Sequence, residues 1–226
     1  IDTSGGAGST TGTGGAILIN DPVILGANVS ISTGAAGGNV TFGADATVNS
    51  DGTPRTLSVE SGTGTVGFGA TIGGASSLAA LTVNSSGSGT VSVADLGDAD
   101  TFGVTGATAI GNASTTALTL NGSTYRTDGS QTFEATVGDS IILAAGATTT
   151  FSTTADAVSF NTSDVQLNDG SNLVVTTAGG AISVLNIDGT SDETVALNAG
   201  SGATATETVS VGAIGQTTAN GILSVT

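Results

Sequence analysis

The sequence predicts an all-β chain of stacked short strands, a parallel β-solenoid, and three observations carry that prediction. Apolar triplets and quadruplets such as Val40-Thr41-Phe42 and Leu81-Thr82-Val83 recur along the 226 residues, each alternating in-out-in like a half-buried strand. The apolar residues are mostly Val, Ile, Leu and Ala, with 3% aromatics and no Trp, which suits narrow stacked layers better than a bulky globular centre. No stretch of about 11 residues or more carries a helical stripe. A single triplet buries little, so copies must stack on one another.

The elements follow in order. Asn20-Asp21-Pro22 marks a turn, Val40–Phe42 a strand, and Asp51-Gly52-Thr53-Pro54 a second turn before the strand Leu57–Val59. Ser76–Leu81 leaves room for a helical turn, followed by the strands Leu81–Val83 and Thr90–Val93. The strand Ala117–Leu120 runs into turns at Asn121-Gly122 and Asp128-Gly129. Ser140–Ala145 is the other place for a helical turn. Beyond it come the strands Val158–Phe160, Ile182–Val184 and Thr194–Leu197, with turns at Asp169-Gly170 and Asp188-Gly189. The opening residues, from Ile1 to Gly6, and the strand-like close, from Gly221 to Thr226, read as a fragment or a mature subunit.

A coarser repetition overlies this one. Val40 and Phe42 match Val158 and Phe160 at an offset of 118, whereas Thr90-Val91 and Val93 match Thr194-Val195 and Leu197 at 104. Leu118 and Leu120 match Leu223 and Val225 at 105. The expectation is one elongated solenoid segment over residues 1–226, made of two diverged tandem copies at about 1–126 and 127–226 with loops trimmed in the second. Rungs of roughly 20 residues would each add short strands to parallel sheets. The alternative is two tandem β-sandwich modules, which would call for longer strands and a larger aromatic core.

Composition narrows the function. Eighteen acidic residues against two arginines, Arg55 and Arg126, with no Lys or His, give a net charge of −16. Nothing here neutralises a phosphate backbone or an anionic membrane, so no nucleic-acid partner and no membrane insertion are expected. A mean hydropathy of +0.32 with only 9% charged residues separates the chain from acidic disordered sequences. Without Cys there is no disulfide or thiolate metal site. Without His, Lys or Cys the means for acid–base or nucleophilic chemistry are nearly absent, and no enzyme is expected.

Two acidic segments are candidate Ca²⁺ ligands: Asp95, Asp98 and Asp100 in one, Asp188 and Asp192 in the other. Ca²⁺ takes roughly six to eight oxygen ligands, and neither segment has the EF-hand or β-roll pattern, so solvated loops are the competing reading. No other cofactor is expected. Gly5-Gly6-Ala7-Gly8 and Gly12-Thr13-Gly14-Gly15 read as turns, because a phosphate loop needs a Lys and a following helix. Asn28, Asn39, Asn84, Asn112, Asn121 and Asn161 each open an Asn-x-Ser/Thr sequon. The two arginines are expected to pair locally with acidic neighbours, or, for Arg126, to stack on Tyr125, with a subunit contact as the alternative.

Gly38-Asn39-Val40-Thr41-Phe42-Gly43-Ala44, the run from Leu57 to Gly74 and Leu78-Ala79-Ala80-Leu81-Thr82-Val83 resemble repeats of very large bacterial surface proteins of the filamentous-haemagglutinin-like adhesin type. The likeness is best over residues 38–93 and weaker over 127–226, where Gln131-Thr132-Phe133 resembles a degenerate unit start. The resemblance implies a secreted, right-handed β-helix at the cell surface, serving as an extracellular fibre, stalk or adhesin shaft. Head-to-tail pairing through exposed strand edges, or continuation in a longer chain, is the expected association. The alternative is an adhesive or carbohydrate-binding module for a glycan or host surface, with Tyr125 and Phe133 as its aromatic platform.

Overall fold

The computed structural model describes Ile1, Thr3 and residues 14–138, 140–200, 207–215 and 221–226. The chain winds as a parallel β-solenoid, with three strand positions per coil. The first coil holds β1 (Ile17–Ile19), β2 (Val23–Leu25) and β3 (Val29–Ser32), and the second β4 (Val40–Phe42), β5 (Val48–Ser50) and β6 (Thr56–Glu60). In the third, between β7 (Val66–Phe68) and β8 (Ala80–Val83), the middle strand shrinks to a bridge at Ile72. The fourth likewise has Leu96 and Val104 as bridges between β9 (Thr90–Val93) and β10 (Thr108–Gly111).

Full strands return in the fifth coil, with β11 (Ala117–Leu120), β12 (Thr124–Arg126) and β13 (Gln131–Glu134). The sixth has β14 (Ser140–Leu143), β15 (Thr148–Thr153) and β16 (Val158–Asn161). Then come β17 (Asp164–Leu167), β18 (Asn172–Thr177), β19 (Ile182–Gly189), β20 (Glu193–Asn198), β21 (Val209–Ile214) and β22 (Ile222–Val225). β19 and β21 each bend around a corner, so Ile182–Val184 close one coil and Ile187 opens the next.

Every strand pairing is parallel, which sets aside the tandem-sandwich alternative. On the first face the register runs Ile17, Val40, Val66, Val91, Leu118, Ile141, Val165, Ile187, Ile214. The shortest step, Val165 to Ile187, is 22 residues, and the two longest, Val91 to Leu118 and Ile187 to Ile214, are 27. Coils are thus longer than the rungs of roughly 20 residues expected from the sequence, because each must pass three faces and three corners. At about 4.8 Å per coil, the eight steps make a rod some 40 Å long.

Inward-facing positions stack into apolar columns. On the second face the column reads Val23, Val48, Ile72, Leu96, Tyr125, Phe151, Val175, Leu197. Leu81, Leu118, Phe133 and Ile182 are fully buried on the other two. Aromatic rings stack coil on coil, Phe42 on Phe68 at 4.5 Å and Phe133 on Phe160 at 5.3 Å between centroids. Outward, the third face carries small side chains in register, from Ser30 and Ser58 to Ser183 and Ser210.

Two expectations change. Among the described residues there is no helix, and the two proposed helical turns contribute β8 and β14, whose Leu81 and Ile141 enter the core columns. Asp188-Gly189 is no turn but the end of β19, paired with Gln166 and Leu167. Gly189 takes an inward position where a Cβ would lie 1.8 Å from the Gly221 carbonyl oxygen, so glycine serves close approach there rather than chain reversal. The residues matched by the long offsets stand on different faces: Val40 lies in the first-face ladder, Val158 in the third. The proposed copy boundary at 126/127 falls inside a coil, between β12 and β13.

Candidate functional site

The described acidic residues form no common centre. Asp95, just after β9, turns its Oδ1 to the backbone N–H groups of Ser123 and Thr124 in the next coil, both at 2.8 Å. Asp98 Oδ1 accepts from the N–H groups of Asp100 and Thr101 at 2.8 and 2.7 Å. Those bonds, with a smaller contribution from Arg126, hold its carboxyl below the ordinary range. Asp100 is exposed. Asp188 is buried at the end of β19, where its carbonyl accepts from Gln166 Nε2 at 3.4 Å, and Asp192 is exposed. Among the described residues, no three acidic side chains converge on a point that could hold a metal ion.

Asp95 belongs to a set of side chains, most of them asparagines, that staple coils together. Asn28 accepts from Thr56 N–H at 3.0 Å, Asn39 from Thr65 at 2.9 Å, and Asn172 from Thr194 at 2.7 Å. Asn49 accepts from both Ala75 and Ser76. Glu60 takes the backbone N–H and hydroxyl groups of Ser85 and Ser86. Each reach spans 22 to 29 residues, the length of one coil. The staples sit at corners, where the strand ladder is interrupted and backbone donors need other partners. A second set lies inside the corners: the buried hydroxyls of Thr127, Thr153 and Thr177 donate to the carbonyls of Gly129, Asp156 and Gly180.

Glu193, absent from the predicted ligands, is the most enclosed carboxylate among the described residues, 1% exposed. Burial pushes its pKa up, but the N–H groups of Ser191 and Thr190 at 2.8 and 2.9 Å, with the Ser191 hydroxyl, more than offset this and hold it below the ordinary value. A carboxylate two residues after a Thr-Ser pair is the sequence signal for it.

The aromatic platform of the carbohydrate-binding alternative is not at the surface. Tyr125 and Phe133 are both fully buried, edge to face at 5.9 Å, and Tyr125 stacks on Phe151 at 4.7 Å. The Tyr125 hydroxyl donates to the Val93 carbonyl at 2.9 Å and accepts from Gly122 N–H at 3.0 Å. Arg126 lies over Phe102, 4.4 Å from its centroid, rather than over Tyr125, and donates to the carbonyls of Asp98 and Ala99. Arg55 forms a two-pronged pair with Asp51 at 3.2 and 3.0 Å. That hydrogen bonding lowers the Asp51 pKa.

Of the six sequon asparagines, Asn84 is fully buried, Asn112 and Asn161 donate their Nδ2 in hydrogen bonds, and Asn28 and Asn39 are exposed and accept through Oδ1. Asn121 is exposed. Of the two glycine-rich stretches, residues 5–8, 12 and 13 lie outside the described residues, while Gly14 and Gly15 precede β1 in a loop. An apolar cavity of about 200 Å³ opens at the first-coil end of the rod. Ile19, Leu25, Ile31, Phe42 and Leu57 line it, with no titratable side chain among the described residues of its walls.

This architecture places the chain in the class of β-solenoid proteins. No protein-family model, curated protein or solved structure matches it.

Proposed function

We propose that the chain is a length of extracellular structural shaft, part of a cell-surface fibre, stalk or adhesin, whose work is mechanical cohesion. The observation that carries this reading is the unbroken parallel stack: ladders on the first and third faces run from the first coil to the last, and side-chain staples join successive corners. In such a stack each coil contacts only its neighbours, so cohesion grows with coil number. Two arginines and no lysine leave trypsin few cleavage points, which suits an exposed position. Among the described residues the outer edges of β1 and β2 have no strand partner, so a further coil, from a second copy or a longer chain, is the partner this reading assigns.

Negative-stain microscopy across a concentration series tests the association. Rods or filaments one coil wide are expected, and particles that stay single at every concentration would remove self-pairing. Labelling of intact producing cells with an antibody to the chain tests the location. Signal only after lysis would overturn the surface reading.

A further inference from the structure

Asn121 and Gly122 form the turn between β11 and β12, and an Asn followed by Gly is the dipeptide most open to spontaneous deamidation. In that reaction the Gly122 nitrogen, after losing its proton to solvent base, attacks Cγ of Asn121. The new C–N bond closes a succinimide, the Cγ–Nδ2 bond breaks, and the departing nitrogen takes a proton from solvent and leaves as ammonia. Water then opens the ring to aspartate or isoaspartate. The Asn121 side chain is exposed, so the electrophile is accessible to water.

The nucleophile is not. Gly122 N–H donates to the buried Tyr125 hydroxyl at 3.0 Å, and that hydroxyl is itself fixed on the Val93 carbonyl at 2.9 Å. The Asn121 N–H is held by the same Val93 carbonyl at 2.8 Å. Gly122 is pressed so closely on the coil before it that a Cβ would come within 2.7 Å of the Asp95 nitrogen. The next two N–H groups, of Ser123 and Thr124, are tied to Asp95. Closing a succinimide requires the Gly122 nitrogen to leave this lattice, lose its proton and swing toward Cγ.

We propose that Tyr125 protects the Asn121–Gly122 bond from deamidation, making this turn a latent modification site whose reactivity is set by one buried hydroxyl. Burial also pushes the phenol's pKa up, so it stays a neutral partner and does not act as the base that would start the reaction. The inference stands apart from the shaft reading and does not depend on it.

The test is peptide mapping after prolonged incubation of native protein, urea-denatured protein and Tyr125→Phe, scoring aspartate and isoaspartate at Asn121 and, as a reference, at Asn84. Native protein should stay intact at Asn121 while the denatured chain deamidates there. Tyr125→Phe should raise the native rate about tenfold, the factor one hydrogen bond of ordinary net strength is worth, with Asn84 unchanged. Equal rates in native and denatured protein, or an unchanged rate in folded Tyr125→Phe, would overturn the proposal. Should that variant fail to fold, hydrogen exchange on the native protein decides. A slowly exchanging Gly122 amide supports the protection, and a freely exchanging one refutes it.

Discussion

A carboxylate nearly sealed from water must either be neutral or be fully served by donors, and Glu193 is served. Its pKa is depressed below the ordinary 4.5, so the folded chain holds the ionised form more tightly than the unfolded chain does. The stabilisation is therefore complete above pH 4.5 and is lost as the pH falls through the lower folded value. A melting curve measured from pH 7 downward should show this loss at the acid end. Glu193→Gln should lower stability at neutral pH by about 1–3 kcal/mol, since the Thr190 and Ser191 N–H donors lose their anionic acceptor, and should flatten the acid limb. A variant with the wild-type acid limb would show that the titration belongs to another group.

At the scale of the strand, position in the pleat decides what a side chain is worth. Leu18 and Leu118 both lie on the first face, but Leu18 points outward and is 65% exposed, whereas Leu118 is fully buried between Val91 and Ile141. Leu118→Ala should cost about 2–5 kcal/mol, and Leu18→Ala should stay within about 0.5 kcal/mol, both read from denaturant unfolding. Equal costs would mean that the alternation does not set the core. This alternation is what made the first and third faces legible, because Leu57-Ser58-Val59 or Ala117-Leu118-Thr119-Leu120 states its own inside and outside. The second face was legible only in part. In the third and fourth coils it narrows to single bridges at Ile72 and Leu96, with no triplet to see. The staples were invisible for a different reason. Asn39 and Thr65, or Glu60 and Ser85, are partners only once the coil length is known, and that length varies from 22 to 29 residues. The candidate aspartates were read as Ca²⁺ ligands or solvated loop residues; Asp95 and Asp98 accept from backbone N–H groups, a use that local sequence does not separate from metal ligation.

Over the whole molecule the dominant electrostatic fact is imbalance. A net charge of −16 on a rod some 40 Å long at about 4.8 Å per coil places like charges within one or two Debye lengths of one another. Unfolding lets those charges separate, so repulsion works against the stack, and mobile cations relieve it by screening. Stability should therefore rise with ionic strength from a few millimolar to about 0.15 M, over which the Debye length shortens to about 8 Å. Because the described acidic side chains do not gather into groups of three, the relief should be general rather than chelation at one point. CaCl₂ and MgCl₂ at equal concentration should then raise the melting temperature by the same amount, without saturation at a fixed stoichiometry. A saturable excess for Ca²⁺ that Asp98→Asn abolishes would instead establish a specific site in the Asp95–Asp100 loop. The rod would then owe part of its cohesion to a bound ion as well as to its ladders and staples.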